Sequence, residues 1–382
     1  MRNHRKLLEH SPQIDFVVPW VDGTDPKWLS AKRHWETIIS TDTPLLDEEA
    51  NADCRYRDNG LLRYWFRSVE KYAPWVNRIF FVTCGQKPVW LEEAHPKLCL
   101  ISHQEYIPEE FLPTFNSSTI ELNLHRINEL SEHFVLFNDD MFLLKPVLPE
   151  FFFRNGLPVL ECDLQIPEWF YFHDFAKVLL NNTHLLNSDK DIGEKIWQHR
   201  DKWFNIPALG LRRAIHNFFL YHFNRNLIVG DYQHMALPHL KSTFAEIWRK
   251  KEAYLVRVCQ NKFRSDNLIN QWLACAWNQI EGKFYPANKY TFANARHANS
   301  IGQWVWHKLV DAASLKPNIK MNVYTEVNLL NVCDICSAIR KPISYQICLN
   351  DKLENDAAKH CNQELAKAFN DILPERSSFE KS

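Results

Sequence analysis

The stretch HFVLFNDDMFLLKP, residues 133–146, decides how the chain is read. HFVLFN reads as a buried strand, and it ends on two neighbouring carboxylates, Asp139 and Asp140, with more apolar residues behind them. Charged side chains are costly to bury unless they are paired or bind a cation. Working outward, IDFVVPWV (Ile14 to Val21), NRIFFVTC (Asn77 to Cys84) and KLCLIS (Lys97 to Ser102) read as three more strands. Helical spacing separates them. In DNGLLRYWFRSVEKY, Leu62, Trp65, Phe66 and Val69 share a face and Asp58 is placed to cap. Ser118-Thr119-Ile120-Glu121 has a capping-box pattern, predicting a helix with Ile120, Leu124, Ile127 and Leu130 turned inward.

Strands alternating with helices predict an α/β fold built on a largely parallel sheet with helices on both faces. Such sheets bind ligands beyond the carboxyl ends of their strands. Two of those ends carry acids: Asp22 and Asp25 after the first strand, Asp139 and Asp140 after the fourth. The chain divides into residues 1–149, the α/β part; 150–257, a helical, aromatic-rich insertion; and 258–382, which completes the fold. In the insertion, ALGLRRAIHNFFLYHF gathers Leu211, Ile215, Phe218, Phe219 and His222 on one face and Arg212 and Arg213 on another. That helix either lies on a membrane surface, cradles an acceptor, or is buried with a solvated basic edge. SDNLINQWLACAWNQI is expected to be a capped helix over Ser265–Ile280.

A chain of 382 residues with 46% hydrophobic and 24% charged residues is ordinary globular material. A formal net charge of -1 gives no bulk affinity for nucleic acid. The 10 cysteines form no disulfide framework, and only Cys333 and Cys336 make a C-x-x-C, so reduced, cytosolic thiols are the default. MRNHRKLLEHSPQ lacks the apolar core of a signal peptide and no stretch is apolar enough to span a bilayer. A cytoplasmic protein is expected, with membrane association left open.

The acid pair suits Mg²⁺ or Mn²⁺, which prefer oxygen ligands; a plain Asn-Asp-Asp turn is the alternative. There is no Walker A loop and no G-x-G-x-x-G, and only 9 glycines, so metal, Arg and Lys must neutralise any phosphate. Glu121, His125 and Asn128 fall at helical spacing with Arg126 beside them, so Glu121 could orient His125 as a base, or the face could be merely solvated. HMALPHLKS sets His234 and His239 around Pro238, predicting an irregular loop. Arg264 precedes the expected helix start, where backbone N–H groups and a guanidinium would bind an anion.

Taken in order, IDFVVPWVDGTDPKW, RYRDNGLLRYWFRSVEKYAPWVNRIFFVTCGQKPVWL, LPTFNSSTIELNLHRINELSEHFVLFNDDMFL, HMALPHLKS, FRSDNLINQWLACAW and ICLNDKLEN resemble the successive blocks of the Stealth family. That family includes bacterial capsular polysaccharide phosphotransferases and the catalytic subunit of the animal N-acetylglucosamine-1-phosphotransferase. The resemblance implies a Rossmann-like or GT-A-like sheet. It implies transfer of a sugar-1-phosphate from a UDP-N-acetylhexosamine donor to the hydroxyl of an oligosaccharide or polysaccharide, with release of UMP and help from Mg²⁺ or Mn²⁺. Peripheral contact with membrane capsule machinery would fit such an acceptor. Carried over by block, Asp139, Asp140 and Asp351 are the expected metal residues, with Asn138, Asp22, Asp25, Arg126 and His234 near the donor. Arg264 would counter phosphate charge, and His239, or else His125 beside Glu121, would take the hydroxyl proton. Gly60 departs from the acidic residue expected in many relatives. The alternative activity is a metal-dependent glycosyltransferase that releases UDP; a glycan-binding protein without catalysis is a third reading.

Overall fold

The computed structural model describes residues 12–40, 51–165, 174–188, 191–223, 228–229, 234–287 and 322–381. The four expected strands form, as β1 (Ile14–Pro19), β2 (Ile79–Thr83), β3 (Leu98–Ser102) and β4 (His133–Leu136). All four run parallel, with β1 between β2 and β4. After β1 the chain builds outward through β2 and β3, then returns to place β4 on the other side of β1. This reversal opens a crevice at the carboxyl ends of β1 and β4, the usual ligand position in such sheets.

Alternation along the strands explains why the sheet is covered twice. Phe16, Val18, Ile79, Phe81, Val135 and Phe137 face one core, and Val17, Phe80, Val82, Phe134 and Leu136 face the other. The first core is closed by Trp65 and Phe66 of α2 (Leu62–Tyr72) and by Leu365 and Phe369 of the C-terminal helix α9 (Asn355–Ile372). The second is closed by Phe244, Ile247 and Leu255 of α6 (Lys241–Gln260) and by α7 (Trp272–Ile280). The α/β architecture with helices on both faces is as expected. Aromatic rings fill much of it; Phe16 packs on Phe137 at 4.8 Å between centroids.

Three local expectations are corrected. HMALPHLKS is not a loop throughout: Leu237–Leu240 is a strand, β6, pairing antiparallel with β4 at the sheet edge. Pro238 is tolerated there because an edge strand has one row of backbone groups without ladder partners. The helix over Ser118–Glu121 is short: α3 spans Ser117–Leu122 and is capped by Asn116, whose side chain accepts from Ser118 N. Finally, α7 begins at Trp272 rather than Ser265. The preceding turn is held by short polar bonds, Ser265 Oγ to Asn267 Oδ1 at 2.6 Å and Asn261 Nδ2 to Ser265 Oγ at 2.8 Å. Asn and Ser side chains that bond locally in this way compete with helix formation.

A smaller sheet reaches the crevice from the C-terminal part. In it β8 (Gln346–Asp351) lies between β7 (Asn322–Val327), parallel to it, and β5 (Met141–Leu143), antiparallel. β5 follows directly on Asp139 and Asp140, so β8 is clamped beside them. In the insertion, α5 (Leu211–Phe223) buries Ala214, Asn217 and Tyr221 and exposes the apolar stripe. The buried-helix alternative for that stripe does not hold. Among the described residues no helix is long and apolar enough to cross a membrane.

Candidate active site

The rim of the crevice is acidic. Asp139 and Asp140 occupy the turn between β4 and β5, and they line one pocket with Asp58, Asp351 and Asn362. Although part of each residue is open at the surface, protein surrounds both carboxyls densely. Burial, then Asp140 and Asp58 in turn, push the Asp139 carboxyl well above the usual range. Burial raises Asp140 as well, with His234 and Cys348 opposing. Asp140 Oδ1 is buried without a hydrogen-bond partner. Its other oxygen, Oδ2, accepts from Cys348 Sγ at 3.4 Å, and the backbone of Leu349 donates to the Asp140 carbonyl at 2.9 Å.

Asp351 is differently placed. Arg57 Nη1 donates to Asp351 Oδ2 at 2.5 Å, and its other oxygen caps Leu353 N at 2.8 Å. The carboxylate expected among the metal residues is thus already neutralised by an ion pair. The pair also ties the RYRDNG block to the C-terminal sheet.

Asp22 and Asp25 organise the turn after β1. Asp22 Oδ1 accepts from Thr24 N at 2.9 Å, and Asp25 Oδ1 caps α1 (Pro26–Ser40) by accepting from Trp28 N at 2.8 Å. Gly23 is required here, since a Cβ would sit 2.4 Å from Tyr56 O. That contact presses the turn against the RYRDNG block, and Asp58 comes within electrostatic reach of both Asp22 and Asp139. Gly60 takes φ 69°, a left-handed conformation that an acidic residue would adopt only with strain, and α2 starts at Leu62 without a side-chain cap. Asp58 accepts from Gly60 N instead of capping the helix.

The remaining candidates separate into two groups. Glu121, His234, Asn138 and Arg264 converge on the crevice. Asn138 Nδ2 lies 3.0 Å from His234 Nε2, and His234 is within electrostatic reach of Asp140, Arg264 and Arg55. Burial lowers the His234 ring, with Asp140 opposing. Glu121 Oε2 accepts from Gln271 N at 3.2 Å, and burial pushes its carboxyl up to about 7 against the pull of Arg264. Arg264 is not at a helix N-terminus, because α7 starts later; its guanidinium donates to Ser117 Oγ at 3.1 Å, at the start of α3.

His239, His125 and Arg126 lie elsewhere. His239 is fully buried in β6, its Nε2 2.8 Å from Gln271 Oε1, with Phe134 and Phe244 against the ring. No part of it reaches solvent, so a substrate hydroxyl cannot meet it in this arrangement. His125 and Arg126 belong to a separate 3₁₀ turn, Leu124–Arg126, so they do not share a helix face with Glu121. The Arg126 guanidinium lies 4.8 Å over the Trp248 ring and bonds Asn123 Oδ1 at 2.9 Å, and His125 packs on the same Trp248. Both pack around Trp248, whose indole donates to Leu122 O, and neither makes a hydrogen bond to Asp139 or Asp140.

Two residues of the crevice, Arg55 and Arg57, went unnoticed in the sequence, and a third, Asp58, was read only as a helix cap. Arg55 Nη1 donates to Asn350 Oδ1 at 3.2 Å and stands near Asp140 and His234. The alternation of charge in R-Y-R-D, just before an apolar helix, is the signal that could have found them.

The comparisons agree with this blocked arrangement. Residues 12–38 match the model of Stealth protein CR1, conserved region 1, and residues 55–159 that of Stealth protein CR2, conserved region 2. A capsular polysaccharide phosphotransferase WcwK of Streptococcus pneumoniae is 39% identical over 372 residues, covering 96% of this chain and 99% of the relative. The chain belongs to the Stealth family. A receptor polysaccharide phosphotransferase WefC of Streptococcus oralis is 34% identical over 373 residues, again 96% of this chain and 99% of the other. This Stealth protein is accordingly an enzyme of the phosphotransferase class. The two family regions bracket both acidic turns, and they include Arg55, Arg57, Asp58 and Glu121.

Proposed function

We propose that this Stealth protein transfers a sugar-1-phosphate, from a UDP-N-acetylhexosamine, to a sugar hydroxyl during capsular polysaccharide synthesis, releasing UMP. The acceptor hydroxyl attacks the phosphorus that carries the sugar; the bond to the UMP oxygen breaks in line; the hydroxyl proton goes to a protein base. Relatives named as capsular polysaccharide phosphotransferases support the class of reaction and the polysaccharide acceptor. The observation that carries the proposal is the rim itself: mutually repelling carboxyls with Arg55 within electrostatic reach of Asp140, at the switch point of a parallel sheet.

Phosphoryl-type transfer needs positioning and charge neutralisation more than covalent help. Mg²⁺ or Mn²⁺ fits the acid pair, because the buried Asp140 Oδ1 lacks a partner and Asp139 faces like charges. Asp139 and Asp140 would hold the ion, and when bound it would neutralise diphosphate oxygens. Arg264 and Arg55 supply fixed positive charge on the same side. With His239 enclosed and His125 on another wall, Glu121 is the base we assign. A carboxyl raised to about 7 is matched to proton transfer near neutral pH, and Arg264 lies beside it. His239 then positions Glu121 indirectly, since Gln271 bonds both. The outward stripe of α5 is the surface we assign to contact with the membrane-borne capsule machinery.

The product decides the proposal. Purified protein with a panel of UDP-sugars, a short acceptor and Mg²⁺ or Mn²⁺ should release UMP and give a phosphodiester signal by phosphorus NMR. Release of UDP with no phosphodiester would make it a glycosyltransferase instead.

A further inference from the structure

We infer that Asn181, on a helix of the insertion, is a positioning residue for the transfer: its side-chain amide holds the turn 265–270 so that Arg264 before it and Gln271 after it stand where the chemistry needs them. The inference rests on reading Glu121 as the base and Arg264 as the partner of phosphate charge, and it adds the part of the fold that fixes both. Those contacts reach the crevice from opposite ends of one short stretch. Arg264 donates to Ser117 Oγ at 3.1 Å, and the backbone N–H of Gln271 donates to Glu121 Oε2 at 3.2 Å. A displacement of the turn therefore disturbs both at once.

The turn has two separate holds. Its first part is fixed locally: Asn51 Oδ1 accepts from Arg264 N and Asn51 Nδ2 donates to Arg264 O, at 3.2 Å each, and the side chains of Asn261, Ser265 and Asn267 bond one another. Its second part leans on the insertion. From α4 (Asp174–Asn187), Asn181 Nδ2 donates to the carbonyls of Asp266 at 2.8 Å and Leu268 at 3.0 Å, and Asn182 Nδ2 donates to Asn270 Oδ1 at 3.2 Å. Asn270 Oδ1 also accepts from Trp272 N at 3.1 Å, which ties α4 to the start of α7. Lys177 and Asp266 add an ion pair at 3.0 Å, but both side chains are exposed and the pair contributes little.

Local propensity does not explain these asparagines. Asparagine is a poor helix former, and α4 places two of them in mid-helix, where such side chains compete for the backbone. Both instead turn their amides to another segment. Asn181 donates twice, to carbonyls that lie outside any helix or strand, which an apolar residue there could not do. The groups that face Glu121 are Arg264 and Gln271 on the flanks of the turn, Tyr106 on the short helix His103–Tyr106, and His239 of β6 behind Gln271. Burial keeps Tyr106 and His239 neutral. The turn thus carries the two groups that stabilise the Glu121 carboxylate, an N–H donor and a guanidinium.

The test reads the Glu121 carboxyl and turnover separately. Glutamate in the full chain is labelled with carbon-13 at its carboxyl, and the Glu121 NMR signal is assigned by its absence in Glu121→Gln. Asn181→Ala removes the amide and leaves a residue that favours helix, with circular dichroism confirming the fold. Its Glu121 signal should titrate at higher pH than in the unaltered chain, because the carboxylate loses its N–H donor and its guanidinium neighbour. The rising limb of kcat should move up with it. Above that limb kcat should still fall by up to about 10²-fold, the size expected for reacting groups displaced by about 1 Å. A substitution that only weakened the fold would leave both midpoints in place. Asn181→Ser, too short to reach both carbonyls, takes its place should the alanine variant not fold. A Glu121 signal titrating at the same pH in the variant, or an unchanged kcat, overturns the inference. A shifted signal with a kcat that is lower but flat in pH removes Glu121 as the base and leaves Asn181 acting through Arg264. A shifted signal in a chain that releases no UMP from any donor sinks only the proposed reaction.

Discussion

His234 and His239 sit in one short block, yet they live in different physical worlds. His234 stands at the crevice among Asp140, Cys348, Arg55 and Arg264. His239, in β6, is enclosed between Phe134 and Phe244 and satisfied by Gln271. Burial pushes its ring down to about 4, so it stays neutral at physiological pH. The difference teaches that a histidine beside a proline says nothing about chemistry until strand register is known. Pairing of His239 with Phe134 on β4 turns its ring into the helix-covered core. The His239 ring is paired within the core, whereas Asp140 Oδ1 at the rim is buried without a partner, and a shortage at a rim is what a ligand can fill.

The comparison predicts that rim substitutions change rate and core substitutions change stability. The largest effect is expected at Glu121. Glu121→Gln should lower kcat by up to about 10⁴-fold, the upper range for loss of a general base. In the unaltered enzyme kcat should rise as pH climbs through about 7, where Glu121 gives up its proton, and the variant should lack that limb. Stability should move the opposite way. The folded-state carboxyl titrates above its ordinary value of 4.5, so the fold favours the protonated form. Its cost is absent below pH 4.5, grows between there and about 7, and is complete above. Thermal unfolding of Glu121→Gln should therefore show a gain above pH 7, of up to ~3 kcal/mol, and none near pH 4. A flat pH profile in the unaltered enzyme would remove Glu121 as the base.

Next comes Asp140→Asn, expected to lower turnover by about 10²–10³-fold, the range seen for losing one preorganised electrostatic group. Because it removes an incompletely partnered buried charge, its melting temperature should hold or rise. A large loss of stability with retained rate per folded molecule would make Asp140 a structural residue and erase the contrast drawn above.

At the core, His239→Ala should leave a cavity and an unpaired Gln271 Oε1. The cost is about 1–3 kcal/mol for the unpaired group alone, read by urea unfolding. Turnover of the remaining folded protein should fall far less than in Glu121→Gln. A rate loss of about 10²-fold or more without a stability change would return His239 to the chemistry.

How much of this was legible follows the same division. β1 to β4 could be read because each is dominated by apolar residues, as strands buried on both faces must be, and the ends of β1 and β4 carried the acids. β6 was hidden by Pro238, which an edge strand accepts. The helix starts at Ser118 and Ser265 misled because local side-chain bonds, not composition, set where α3 and α7 begin. Asp139 and Asp140 stood out in an apolar setting. Cys348 did not, because its meeting with Asp140 depends on β8 joining β5 across 208 positions of sequence. Arg57 was equally hidden, as its partner Asp351 lies 294 positions away.

The smallest effect on the enzyme itself is expected on α5. Among the described residues, half of the large exposed apolar side chains fall between Trp197 and Phe223; Phe219 is 55% and Phe223 83% exposed. Arg212 and His216 share the outward surface, and α5 carries no acidic residue. Aromatic rings flanked by cationic side chains suit the headgroup layer of an anionic bilayer. These rings hold nothing in the core, since α5 packs inward through Ala214, Asn217 and Tyr221, and Asn217 bonds the carbonyls of Cys162 and Trp203 at 3.0 Å each. Replacing Phe219 and Phe223 with Ser should therefore leave unfolding free energy within about 0.5 kcal/mol and leave turnover on a short soluble acceptor unchanged. Sedimentation with anionic vesicles should fall, and more so than with neutral ones. Loss of a dimer in light scattering, with vesicle binding untouched, would show instead that a second copy covers the stripe.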